Sequence, residues 1–258
     1  MKLSRLLPLL LAAGLAHAEL KGKPIEYKEG KTVLEGYLVY DDAVQGKRPG
    51  VVVVHDWMGP SAFTQDRADE LAKMGYIALA ADIYGKGAHP KSPDDAKKVA
   101  GLYKGNRPLL RARAQAALDT LLAQPQTDAS RVAAIGYCFG GTTVLELARS
   151  GAPLAGVVTF HGGLDTPTPQ DAKNIKAKVL VLHGADDPYV TPDQVAAFEK
   201  EMTDAQVDWQ LIKYSGAVHA FAVPTAGSDN SKGAAYNERA AHRAWQAMKD
   251  FFTEIFGK

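Results

Sequence analysis

Short, uninterrupted apolar runs separated by stretches of helical periodicity are the feature that most restricts this chain. Val51-Val52-Val53-Val54, Ile77-Ala78-Leu79-Ala80-Ala81, Val132-Ala133-Ala134-Ile135, Val157-Val158-Thr159-Phe160 and Val179-Leu180-Val181-Leu182 lack the polar alternation of a strand with one wet face. Runs of this kind suit strands buried on both sides, in a parallel sheet covered by helices. Helical spacing fills the gaps over Phe63–Met74 (closed by Gly75), Ser92–Tyr103, Leu109–Ala123, Thr142–Arg149 and Pro192–Met202, the last with Thr191 as its cap. A first strand near Pro24–Tyr27 and a second at Thr32–Tyr40 precede them; Trp209–Tyr214 alternates as a strand, and Ala234–Phe256 reads as a long amphipathic helix. No linker or repeat breaks this order. It predicts one α/β domain with a mostly parallel central sheet and helices on both faces. A (β/α)₈ barrel fits less well, because the early strands look antiparallel and the helices are too few. No lid is inserted between Gly151 and Lys176, which predicts an open pocket and a small substrate.

Charge and cysteine content remove whole classes of function. Thirty basic against 29 acidic residues leave a net charge of +1, with no clustered surplus of the sort that binds nucleic acid. A single cysteine excludes an intrachain disulfide framework and any multi-cysteine zinc or iron–sulfur site. His55, Asp56, His183 and Asp187 lack ligand spacing such as H-E-x-x-H, so no metal and no other cofactor is expected.

The first eighteen residues read as an export signal. Lys2 and Arg5 precede the apolar run Leu6–Leu15, and Ala16-His17-Ala18 has the small-x-small form of a cleavage site. The run is shorter than the roughly 20 residues that span a bilayer. Cleavage after Ala18 would leave 240 residues with 28 basic and 29 acidic side chains. The expectation is a periplasmic or secreted protein with no stable membrane insertion.

Gly136-Tyr137-Cys138-Phe139-Gly140-Gly141 is the segment richest in chemistry. Between an apolar strand and a helix, it matches the G-x-nucleophile-x-G turn, with Cys in the place of Ser. A sharp turn lifts the nucleophile, and small flanking residues let strand and helix approach. Cys138 then sits at a helix N-terminus, which favours thiolate, and the Phe139 N–H points at the same spot. A thiol needs a base, and the base an orienting acid. In the order nucleophile, acid, histidine, the acid falls in His183-Gly184-Ala185-Asp186-Asp187, where residue type alone leaves Asp186 and Asp187 open. The histidine is His219, in Ser215-Gly216-Ala217-Val218-His219-Ala220-Phe221. His161 and His183 end buried strands and are expected to hydrogen-bond locally; His55, beside Asp56, is placed to support the site.

From about Pro24 to Phe256 the chain resembles the dienelactone hydrolase family of the α/β-hydrolase superfamily. The motifs that carry the resemblance are Gly-Tyr-Cys-Phe-Gly-Gly at 136–141, Val-Val-Val-His-Asp-Trp-Met-Gly at 52–59, Ala-Asp-Ile-Tyr-Gly at 81–85, Gly-Ala-Asp-Asp at 184–187 and His-Ala-Phe at 219–221. The resemblance implies Cys138 as nucleophile, Asp187 as acid, His219 as base, and the Trp57 N–H as second oxyanion donor. It also exposes departures. The prototype enzymes carry Glu at the position of Asp56, and arginines at those of Lys86 and Val223. Lys86 is therefore expected to be the one remaining cation near the pocket mouth, a point charge without the bidentate fork. The implied activity is hydrolysis of small carboxylic esters or lactones through a thioester, by a monomer. The alternatives are acyl transfer on the same scaffold and a catalytically weak binding or redox-sensing module.

Overall fold

The valine run becomes strand β3 (Arg48–Val54), paired in parallel on one side with β4 (Ile77–Ala81) and on the other with β5 (Thr127–Tyr137). Its side chains alternate between two cores: Val52 and Val54 enter one, Val51 and Val53 the other, and all four are fully buried. This is why the sequence shows no polar alternation here. Each such side chain contributes about 1.5–3 kcal/mol relative to exposure.

The structure is a computed structural model that describes residues 19–257; the expected signal segment, 1–18, lies outside the described residues. β1 (Leu20–Glu29) and β2 (Thr32–Asp41) form a hairpin turning through Gly30 and Lys31, and β2 joins β4 antiparallel. β6 (Gly156–Phe160), β7 (Lys178–Gly184) and β8 (Trp209–Tyr214) continue the parallel part, giving the order β1-β2-β4-β3-β5-β6-β7-β8. Helices α1 (Ala62–Lys73) and α6 (Glu238–Phe256) cover one face with Leu71, Met248 and Phe252. Helices α2 (Pro93–Gly105), α3 (Arg107–Leu122), α4 (Phe139–Arg149) and α5 (Pro192–Asp204) cover the other with Tyr103, Leu118, Val144 and Phe198. None of the described helices is long and apolar enough to cross a membrane.

The predicted α/β sandwich is the observed one, and the largest shifts at helix starts are in α4 and α6. α4 begins at Phe139, directly after Cys138, three residues earlier than its apolar periodicity predicts. α6 begins at Glu238 because the Asn237 side chain accepts the Ala240 N–H at 3.1 Å, while Ala234 and Ala235 pair instead with His219. All the parallel strands end at one edge, which brings the segments after β3, β4, β5, β6, β7 and β8 together there.

Candidate active site

Cys138 stands where β5 turns into α4, with φ 52° and ψ −112°. For a residue with a Cβ this is strained backbone, and the packing around it leaves little alternative. A Cβ on Gly136 would lie 2.0 Å from the Gly140 carbonyl oxygen, and one on Gly140 would lie 2.3 Å from that of Val54. Both glycines are needed for strand and helix to pack this closely. The Cys138 N–H is tied to Phe160 O at 3.0 Å, and its carbonyl starts the helix by accepting from Gly141 and Thr142. The Cys138 side chain remains partly accessible.

Three side chains from three strand ends form one hydrogen-bonded chain. His219 Nε2 lies 3.0 Å from Cys138 Sγ, and His219 Nδ1 donates to Asp187 Oδ2 at 2.8 Å. Asp187 is buried and its neighbour Asp186 is exposed, and of the two it is Asp187 that reaches His219. The other oxygen of Asp187, Oδ1, accepts the Tyr189 N–H at 2.8 Å. The His219 backbone is braced on both sides, its N–H on Gly233 O and its carbonyl under the Ala235 N–H. Burial alone lowers the pKa of His219, but hydrogen bonds to Asp187 and Cys138, together with their charges, push it up to about 10. At neutral pH the ring is an imidazolium with Nε2–H directed at the sulfur.

The segment after β3 is held from several directions. The Asp56 carbonyl accepts from His55 Nδ1–H at 2.6 Å and from the Gly59 N–H at 3.2 Å. His55 Nε2 in turn accepts the Ile83 N–H at 3.2 Å, so the ring is neutral with its proton on Nδ1; burial pushes its pKa down to about 4. The Tyr84 hydroxyl donates to Trp57 O at 3.0 Å. A trans peptide points its N–H opposite to its carbonyl, so pinning Asp56 O fixes the direction of the Trp57 N–H. That N–H, like the Phe139 N–H in the first turn of α4, has no protein acceptor among the described residues. The two segments adjoin: His55 stacks on the Phe139 ring at 5.8 Å, and Tyr84 lies 5.3 Å from it.

Asp56 is close to this centre but its carboxylate turns into its own loop, accepting the Met58 N–H at 2.8 Å. Burial raises its pKa, offset in part by the Met58 hydrogen bond and by the charge of His219. Lys86 departs from expectation. Its ammonium pairs with Glu26 of β1 and, at 2.7 Å, with Glu35 of β2, so it is not an uncommitted cation at the pocket mouth. Val223 is buried and apolar. His161 also departs: rather than hydrogen-bonding locally, its two ring nitrogens have no partner among the described residues. The ring packs against those of His219 at 5.2 Å and Phe221 at 5.3 Å, and burial drives its pKa well down. Sequence reasoning placed His55 in support of the site, without the hydrogen bonds through which it holds the loop, and missed Tyr189, which nothing local marked. Among the described residues, no three His, Cys, Asp or Glu side chains are grouped to hold a metal ion.

A family model described as the dienelactone hydrolase family matches residues 34–256. Among solved structures, a dienelactone hydrolase-like promiscuous phosphotriesterase from metagenomic libraries is 44% identical, with a TM-score of 0.87 and coverage of 93% of this chain and 99% of that one. A protein titled m3DLH is similar at 44% identity and a TM-score of 0.88, covering 92% of this chain and 98% of its own. A Bradyrhizobium protein named "Probable 2-oxo-3-(5-oxofuran-2-ylidene)propanoate lactonase" is 31% identical over 188 residues, 69% of this chain and 75% of that protein.

Proposed function

The chain belongs to the dienelactone hydrolase family of ester and lactone hydrolases, and from that premise we propose that it works through a Cys138–His219–Asp187 triad. The observation that carries the reading is the continuous chain of contacts, Sγ to Nε2 at 3.0 Å and Nδ1 to Oδ2 at 2.8 Å, at a strained strand-to-helix turn. The Cys138 thiolate attacks the ester carbonyl carbon, and the oxyanion accepts the Phe139 and Trp57 N–H groups. As the C–O bond breaks, His219 gives its Nε2 proton to the leaving oxygen, and the acyl group stays on sulfur as a thioester. His219, now neutral, takes a proton from water; the resulting hydroxide displaces the sulfur, releasing the acid and restoring thiolate and imidazolium. Asp187 holds the Nδ1–H tautomer throughout. Asp56 supports the loop that carries the second donor.

Mixing the enzyme with 4-nitrophenyl acetate, quenching rapidly and measuring intact mass tests this. The expected result is an acetyl group on Cys138, and neither adduct nor turnover in Cys138→Ala. Turnover by Cys138→Ala would remove the nucleophile assignment. An ester product formed in the presence of added alcohol would point to acyl transfer, and inactivity of the native protein to a binding module. A second reading is favoured by the 44% identical relative titled a phosphotriesterase: the same thiolate attacking a neutral phosphotriester, measured by aryl oxide release. The segment 1–18 is proposed to direct export; N-terminal sequencing of the processed protein, expected to begin at Glu19, tests that.

A further inference from the structure

Among the described residues three large hydrophobic side chains stand exposed, Trp57, Leu102 and Tyr189. One of the three, Tyr189, borders the reacting groups: its ring meets His219 edge-on at 5.3 Å and 87°. Exposed aromatics are commonly mobile, and an exposed apolar surface needs a reason. Tyr189 is 59% exposed yet held at both ends. Its N–H is on Asp187 Oδ1 at 2.8 Å and its hydroxyl on Lys232 O at 3.3 Å. The hydroxyl lies close over Gly233, where a Cβ would meet it at 3.1 Å. A rigid aromatic surface with one open face binds another ring without losing side-chain entropy.

The charges around the site select against an anion. Lys86 is taken up by Glu26 and Glu35, the His219 charge is shared between Asp187 and Cys138, and Val223 contributes no charge. Asp56 adds a carboxylate beside the oxyanion loop. An anionic acyl group would therefore meet a negative neighbour that neither Lys86 nor Val223 offsets.

We propose that Tyr189 is one wall of a subsite for neutral esters and receives an aromatic leaving group. The assignment follows from the chemistry. The proton donor His219 faces the leaving oxygen, so the ring packed on His219 borders the alcohol half. The inference rests on Cys138 as nucleophile and His219 as proton donor.

Three esters separate the halves: phenyl acetate (aromatic alcohol), methyl phenylacetate (aromatic acid) and methyl acetate (neither). Each variant is compared with the parent on the same ester, so differences in intrinsic reactivity cancel. Tyr189→Ala is expected to lower kcat/KM for phenyl acetate roughly tenfold, chiefly through KM, and to change the two methyl esters by less than about twofold. Tyr189→Phe should keep the parent's selectivity. Leu102→Ala, on the exposed side of α2, is the control that changes none of the three. Uniform losses across the esters, no loss on any, or a loss on methyl phenylacetate in place of phenyl acetate would each overturn the proposal. If Cys138→Ala keeps parental activity, the fault lies with the nucleophile assignment instead.

Discussion

His55 Nδ1 lies 2.6 Å from the carbonyl oxygen of Asp56, and that contact sets the direction of the following peptide N–H. Replacing His55 with Phe keeps a ring between Tyr84 and Phe139 but frees the carbonyl and leaves the Ile83 N–H without its acceptor. Loss of an oxyanion donor costs about 10²–10³ in kcat; loosening one is expected to cost roughly 10- to 100-fold, with KM little changed. The unsatisfied buried N–H should lower stability by about 1–3 kcal/mol. Steady-state kinetics beside urea denaturation checks both; unchanged kcat would detach His55 from the oxyanion loop.

Asp187 and Asp186 should separate sharply. Asp187→Asn offers His219 Nδ1 an amide in place of a charge and favours the wrong tautomer, with kcat expected to fall about 10³- to 10⁴-fold. Asp186→Asn, on an exposed side chain, should stay within about twofold. Parallel ester assays on the two purified variants decide it.

Asp56 contributes to stability with a sign set by its burial. Its folded pKa is raised, so its favourable contribution is complete below the unfolded carboxylate value and is lost as pH rises through the folded one. At neutral pH the buried charge is a cost. Asp56→Asn, which can still accept the Met58 N–H, should stabilise the protein at pH 7 by on the order of 1 kcal/mol. Melting curves at pH 7 and near pH 3.5 should show that gain shrinking in acid; a gain independent of pH would contradict the assignment.

His219 works in the opposite range. With its pKa raised from 6.5 to about 10, the stabilisation from its charged form is complete below about 6.5 and disappears as pH rises through about 10. The alkaline limb of the pH–kcat/KM profile should fall near pH 10, where the proton for the leaving group is lost. A limb near pH 7 in a well-folded enzyme would mean that the ring is neutral at rest.

Away from the site, Arg149 of α4 is fully buried and grips Glu201 of α5 with two hydrogen bonds, of 2.7 and 2.8 Å, while also bonding Glu146 at 3.1 Å. Glu201→Ala removes its main counter-charge and should destabilise by about 3–5 kcal/mol, read from urea midpoints. Replacing both partners, Arg149→Met with Glu201→Leu, should cost less than Glu201→Ala alone.

The parallel core and the elbow were legible in the sequence because their signals are local. Unbroken runs such as Val51–Val54 report burial on both faces, and Gly136-x-Cys138-x-Gly140 places a reactive side chain where only small neighbours fit. The order of the later strands led to His219 for the same reason. What depended on tertiary pairing was not legible. Lys86 reads as a free cation until the fold brings up Glu26, 60 residues away. Asp186 and Asp187 differ only in which way the turn after Gly184 directs them. His161 looked like a histidine with a local partner, but the fold surrounds it with rings. Tyr189 lies in an ordinary loop sequence, and only the contacts to Asp187, Lys232 and His219 show that it is fixed.

The positive φ of Cys138 also bears on how this protein can change under selection. A side chain held in that conformation costs about 1–3 kcal/mol, a penalty that glycine escapes. Laboratory evolution that rewarded heat resistance and never assayed turnover would find a gain at position 138, and the substitution that delivered it would discard the sulfur.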